Sequence, residues 1–136
     1  MPCPYFEPLN PVAEPAFQNG RLPLIEQYSG VCHVHAEPAQ STESCCNHGY
    51  ARGQCERFPL AGRNVAHRFS LLGQGPEELE LVFIDEEDYA PAFTRRLHFS
   101  VRGNCLSEDD LDSCIAAQAL AFCRSYLRKV ACAAGA

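Results

Sequence analysis

The chain contains no tryptophan and one methionine. It also lacks any apolar run near the ~20 residues that a membrane span needs, so no transmembrane helix is expected. Basic residues are scarce: 11 Lys and Arg stand against 17 Asp and Glu, for a net charge of −6. That balance argues against a general nucleic-acid binder, which needs a basic surface to displace counterions. The opening Met1-Pro2-Cys3-Pro4 has neither the basic start nor the apolar stretch of a secretory signal, so a cytoplasmic protein is expected. No phosphate-binding glycine loop, nucleophile elbow or paired-histidine zinc-protease motif occurs. Asp85-Glu86-Glu87-Asp88 lacks calcium-loop spacing and reads as a solvated acidic turn. Nor are any two cysteines two to four residues apart, the spacing that structural zinc sites usually use.

Cysteine is abundant: nine occur in 136 residues. An odd count excludes complete intramolecular pairing. In a reducing compartment such density points to metal or redox chemistry rather than to a disulfide framework. The densest stretch is Cys32 to Phe58. It includes Cys32-His33-Val34-His35 and Cys45-Cys46-Asn47-His48-Gly49-Tyr50-Ala51-Arg52-Gly53-Gln54-Cys55. Almost no helical or strand periodicity runs through it, so it is not expected to stabilise itself by burying an apolar face. Coordination is expected to hold it. The predicted ligands are Cys3, Cys32, Cys46 and Cys55, around an iron–sulfur cluster, 4Fe–4S in preference.

Supporting features surround these four cysteines. Pro4 follows Cys3. Gly30, Gly49 and Gly53 would let backbone amides approach cluster sulfurs, and Tyr5, Phe6, Tyr50 and Phe58 would exclude water. Zinc is the alternative, through Cys32, His35, Cys46 or His48, and Cys55. Cys45 competes with Cys46, which is preferred because Asn47-His48-Gly49-Tyr50 gives it a turn to sit on. His33 and His35 read as surface histidines beside a loop.

Cys105, Cys114, Cys123 and Cys132 are each nine positions apart. Nine residues rotate a helix by about half a turn at ~100° each, so Cys123 points away from Cys114 and Cys132. Those two share a face but lie roughly 27 Å apart, being eighteen residues at ~1.5 Å. The three are read as small hydrophobes, and Cys105 precedes the helix.

Along the chain, residues 1–24 are proline-rich and read as an extended arm held over the body by Tyr5, Phe6, Leu9 and Phe17. Residues 21–29 suggest a short edge strand through Leu22, Leu24 and Ile25. Strands are predicted over Val65–Leu72, Leu79–Ile84 and Thr94–Val101, the last with strict alternation. His67 and His98 are expected on the solvent face. A helix is predicted over about 107–132, capped by Ser107 and Asp110 and carrying Leu111, Ile115, Ala119, Phe122 and Tyr126 at helical spacing. The expected fold is α+β in one domain, 1–136. It has an irregular metal-stapled N-terminal half (1–60), then a three-stranded antiparallel sheet and a long C-terminal helix (61–136).

Three runs resemble a group of small uncharacterised bacterial proteins: Cys3-Pro4-Tyr5-Phe6, Tyr28-Ser29-Gly30-Val31-Cys32, and Cys46-Asn47-His48-Gly49-Tyr50-Ala51-Arg52-Gly53-Gln54-Cys55-Glu56-Arg57-Phe58-Pro59. The resemblance covers roughly the first 60 residues and part of the helix. It implies a four-cysteine cluster site, supports Cys46 over Cys45, and supplies no activity. The expected function is a small electron carrier or redox sensor with an unidentified protein partner, no nucleic acid and no membrane span. One alternative is a non-catalytic interaction module or assembly subunit with a purely structural iron–sulfur or zinc centre. A second is a thiol-based redox enzyme using Cys45 or Cys46 with His48.

Overall fold

The computed structural model describes residues 2–12, 24–34, 39–41, 46–47, 55–59 and 64–135. Among the described residues, two antiparallel sheets and one long helix make up most of the regular structure, with Cys46 and Asn47 also helical. The first sheet has three strands in the order β1-β2-β3: β1 (Phe6–Pro11), β2 (Tyr28–Cys32) and β3 (Ala39–Ser41). The second has four, in the order β4-β5-β6-β7: β4 (Val65–Gln74), β5 (Glu78–Glu87), β6 (Ala90–Ser100) and β7 (Cys105–Leu106). Helix α1 spans Ser113–Gly135.

The expected fold needs correction. The front half is not merely irregular chain stapled by a metal, and the sheet predicted after residue 61 has four strands, not three. Phe6, Leu24, Tyr28 and Phe58 are buried in the same apolar cluster as Leu79, Leu81, Phe83, Leu97 and Phe99. The front half therefore closes on shared core. Its sequence lacks a visible period because Pro8 and Gly30 take inward positions of β1 and β2. Pro8 and Gly30 face each other across the β1–β2 ladder, as do Phe6 and Cys32. Gly30 is required there, because a Cβ would lie 2.0 Å from the Glu7 carbonyl oxygen.

The second sheet follows its alternation. Phe69 pairs with Phe83, Leu71 and Leu97 flank Leu81, and Leu79 pairs with Phe99. These side chains line one face, and Phe69 stacks on Phe122 of α1 with ring centroids 6.0 Å apart. Asp85 to Glu87 belong to β5 rather than to an acidic turn. The two-residue turn is Asp88-Tyr89, both at positive φ (51° and 68°), as a tight hairpin requires.

Helix α1 starts six residues later than predicted. Asp112 caps it, its Oδ2 accepting the Cys114 N–H at 3.0 Å. Ser107 to Asp110 lie instead along β6. The Ser107 N–H donates to the His98 carbonyl, Glu108 binds His98, and Asp110 binds Arg95. Their carboxylates suit a helix start in sequence, but sheet partners take them.

Of the edge strand predicted over 21–29, Leu22 lies outside the described residues and β2 begins at Tyr28. Leu24 and Ile25 lie in the turn before it, with Ile25 at φ 73°, a costly conformation for a β-branched residue. The next residue, Glu26, ties this turn to α1 by bonds from Arg128 and Ser125. The predicted arm is a strand over Phe6–Pro11, and Phe17 lies outside the described residues. No helix among the described residues is long and apolar enough to cross a membrane.

Candidate metal centre

Cys3, Cys32 and Cys46 are buried, and Cys55 is half-buried. Backbone bonds fasten their segments to one another. The Cys3 N–H donates to the Cys46 carbonyl at 3.0 Å. Cys32 pairs with Phe6 in the ladder, and one residue on, the His33 N–H donates to the Tyr5 carbonyl at 2.8 Å. The Cys55 carbonyl accepts the Phe58 N–H, and the Phe58 ring meets Tyr5 edge-on at 5.7 Å. All four predicted ligand residues are thus on segments tied around Cys3 to Phe6.

Electrostatics reports the same convergence. The Cys3 thiol is pushed up to about 12, first by burial and then by the charges that Cys46, Cys32 and Cys55 would carry. The Tyr5 backbone opposes this rise, where a glycine amide is expected. Gly30 serves the strand crossing, while Gly49, Gly53 and Tyr50 lie outside the described residues.

Two positioning residues were missed in the sequence. Asn47 is almost fully buried; its Oδ1 accepts the Tyr28 N–H at 2.8 Å and its Nδ2 donates to the Tyr28 carbonyl at 3.1 Å. This two-point clamp fixes the helical residues Cys46 and Asn47 to the start of β2. Gln118 on α1 donates through Nε2 to the Cys3 and Phe6 carbonyls at 2.8 and 2.7 Å. Its position on the inner stripe of the helix was legible, whereas its partners, 115 and 112 residues away, were not.

The remaining candidates scatter. Cys123 is fully buried, and burial pushes its thiol up to about 12, as suits a small hydrophobe. Cys105 is exposed. Cys114, sorted with the helix core from its spacing, is buried within electrostatic reach of Cys32 and Glu7. His67 and His98 are not paired across strands. His67 is opposite Asp85 and faces the interior; His98 is opposite Glu80 and bonds Glu108. His33 bonds Glu7 at 3.0 Å. Cys45, His35 and His48 lie outside the described residues, as does the side chain of Cys132.

Among the described residues, no group of three or more His, Cys, Asp or Glu side chains is arranged to hold a metal ion. A cluster core holds its cysteine sulfurs farther apart than a single ion does, so this bears on a mononuclear centre. The zinc alternative also needs His35 or His48. Four cysteine thiols are soft donors of the kind that iron–sulfur centres use. No protein-family model matches the chain, and no curated protein or solved structure matches it either.

Proposed function

We propose that the chain is a small iron–sulfur protein, an electron carrier or redox sensor, with Cys3, Cys32, Cys46 and Cys55 as ligands. One observation carries this reading: backbone bonds and ladder pairing tie the segments of Cys3, Cys32 and Cys46 to one another, and the Cys55 segment meets Tyr5 through Phe58. The thiolate is the form that binds metal. Four such thiolates repel one another unless cationic iron offsets their charge. The resemblance to four-cysteine bacterial proteins supports the same ligand set.

When bound, a 4Fe–4S cluster would supply one-electron storage, at a potential set by N–H donors to sulfur and by water access. The chain provides for the second: Phe6 and Phe58 are buried in the same apolar cluster as Cys3, at 1% and 4% exposure. Because the surrounding fold has its own core, the cluster is a guest of the fold rather than its main support. The reading includes a cytoplasmic location and a protein partner for electron exchange.

Anaerobic purification with iron and sulfide analysis tests it. The protein is expected to be brown, with equal iron and sulfide and a visible absorption that bleaches on reduction. Cys55→Ser should lose the iron while keeping the circular dichroism of the fold, and Cys123→Ser should keep the iron. Colourless protein with one zinc, or with no metal after reconstitution, would sink the proposal.

A further inference from the structure

Away from the thiols, the later half of β1 and the middle turns of α1 enclose a cavity of about 200 Å³. Pro8, Leu9 and Pro11 form one wall, and Ala121, Arg124 and Arg128 of α1 form the other. We propose that this cavity binds a short-chain organic carboxylate, with its charged end at the two guanidinium groups and its hydrocarbon against Leu9.

The two arginines lie one helical turn apart on the same face, a spacing that is destabilising for like charges. Both are nevertheless held in place. Arg124 donates from Nε to Asn104 Oδ1 at 2.9 Å and from Nη2 to the Asn104 carbonyl at 3.3 Å. Those acceptors are neutral, and Arg124 has no ion pair among the described residues. Arg128 donates from Nε and Nη2 to Glu26 Oε1 at 2.9 and 2.6 Å, and from Nη2 to Tyr28 Oη at 2.7 Å. In both groups these bonds leave Nη1, with two hydrogens, without a partner among the described residues. Two positive charges against the single carboxylate of Glu26 leave a surplus of one, in a chain whose net charge is −6. A monoanion matches that surplus, and guanidinium forks suit the geometry of a carboxylate.

The opposite wall specifies a hydrocarbon body. Pro8 pairs with Gly30 and Asn10 with Ser29, so Leu9 is an extra residue with no partner in the ladder. A bulge of this kind re-aims a side chain. Leu9 lines the cavity yet is 55% exposed, an apolar surface that a hydrocarbon chain would cover. Ala117 and Ala121 line the same space from α1, and their short side chains leave it open. The volume is below that of drug-sized ligand pockets, which limits the occupant to a short chain. Cys3 and Phe6 lie toward the other end of β1, so the site does not depend on a cluster.

Calorimetry on the full chain tests this with four probes: butyrate, n-butanol, n-butylammonium and inorganic phosphate. Butyrate is expected to bind saturably at millimolar concentration, with butanol at least about tenfold weaker, since charge-assisted hydrogen bonds are roughly twice as strong as neutral ones. Phosphate, which has no hydrocarbon to set against Leu9, should bind more weakly, and butylammonium should not bind. Arg124→Gln keeps a donor for Asn104 and removes the charge, and should weaken butyrate about tenfold. Ala117→Leu fills the cavity from a half-buried position and should abolish butyrate binding. The Leu9 methyl resonances of the unaltered protein should move on saturation with butyrate, a readout that stands if either variant fails to fold. Four results would each overturn the proposal: no butyrate binding at millimolar concentration, butanol or butylammonium binding as tightly, phosphate binding more tightly, or butyrate binding that leaves the Leu9 methyls unmoved. None of these readouts depends on iron content, so failure here is distinct from failure of the cluster reading.

Discussion

In the β4–β7 sheet, large apolar side chains pair directly across strands: Phe69 with Phe83, Leu81 with Leu97, Leu79 with Phe99. In the β1–β3 sheet, the inward positions include Pro8, Gly30 and Cys32. The second kind of ladder has little to bury by itself. Polar side chains from elsewhere hold it: Asn47 on Tyr28, and Gln118 on the Cys3 and Phe6 carbonyls. One sheet is thus stabilised by contacts within itself, the other by contacts brought to it. Cys32 is the one candidate thiol that this ladder carries; Cys3, Cys46 and Cys55 lie outside its strands.

The contrast makes graded predictions. Phe99→Ala removes a fully buried ring from the self-packed sheet and should cost about 3–5 kcal/mol, read as an equal loss of stability by every probe of urea unfolding. Gln118→Leu leaves the Cys3 and Phe6 carbonyls and His67 Nδ1 without their partner, and should cost about 2–4 kcal/mol. Its loss should be local. Amide exchange should accelerate across β1 and β2 while β5 and β6 stay protected. Uniform acceleration would mean that the two sheets unfold as one unit and that the distinction is only architectural. Asn47→Ala breaks the clamp at the other end of β2 and should cost about 1–3 kcal/mol, again confined to the first sheet.

The same contrast explains what the sequence revealed. Alternation over Leu97, Phe99 and Val101, and helical spacing over Ile115, Ala119 and Phe122, are local signals, and those elements are present. The first sheet was not legible, because its determinants are a missing side chain at Gly30 and amides as far as 115 residues away. The inference that this half needs a metal to close followed from counting its apolar residues in isolation. Phe6 and Tyr28 in fact bury against a core that the rest of the chain supplies. Cys3, Cys32, Cys46 and Cys55 stand out in the sequence because thiol density is a compositional signal, whereas the backbone bonds that tie their segments together are not visible there. Cys114 was not, since helical geometry describes its relation to Cys123 and says nothing of β2. The start of α1 departs from its local signal for a related reason: Glu108 and Asp110 would suit a helix N-terminus, but His98 and Arg95 on β6 bind them more directly.

That last exchange of partners gives the smallest and most pH-specific prediction. His98 Nδ1 lies 2.8 Å from Glu108 Oε1, and the His98 N–H donates to the other carboxylate oxygen at 3.0 Å. The Glu108 bond raises the His98 pKa above 6.5. Partial burial pushes the Glu108 carboxyl up, but the His98 backbone and ring bonds outweigh it, and the net shift is below 4.5. His98 therefore contributes stability that is complete below 6.5 and is lost as pH rises through its higher folded value. Glu108 contributes stability that is present above 4.5 and is lost as pH falls through its lower folded value. Both contributions coexist only between those limits, in mildly acidic solution. The His98 side chain is 38% exposed, so solvent screening should hold the pair to about 0.5 kcal/mol. His98→Asn should flatten this part of the pH–stability curve and leave exchange in the first sheet untouched. If instead it loosens β1 and β2, the 107–110 segment transmits between the sheets, and the self-packed sheet is less independent than its cross-strand pairs imply.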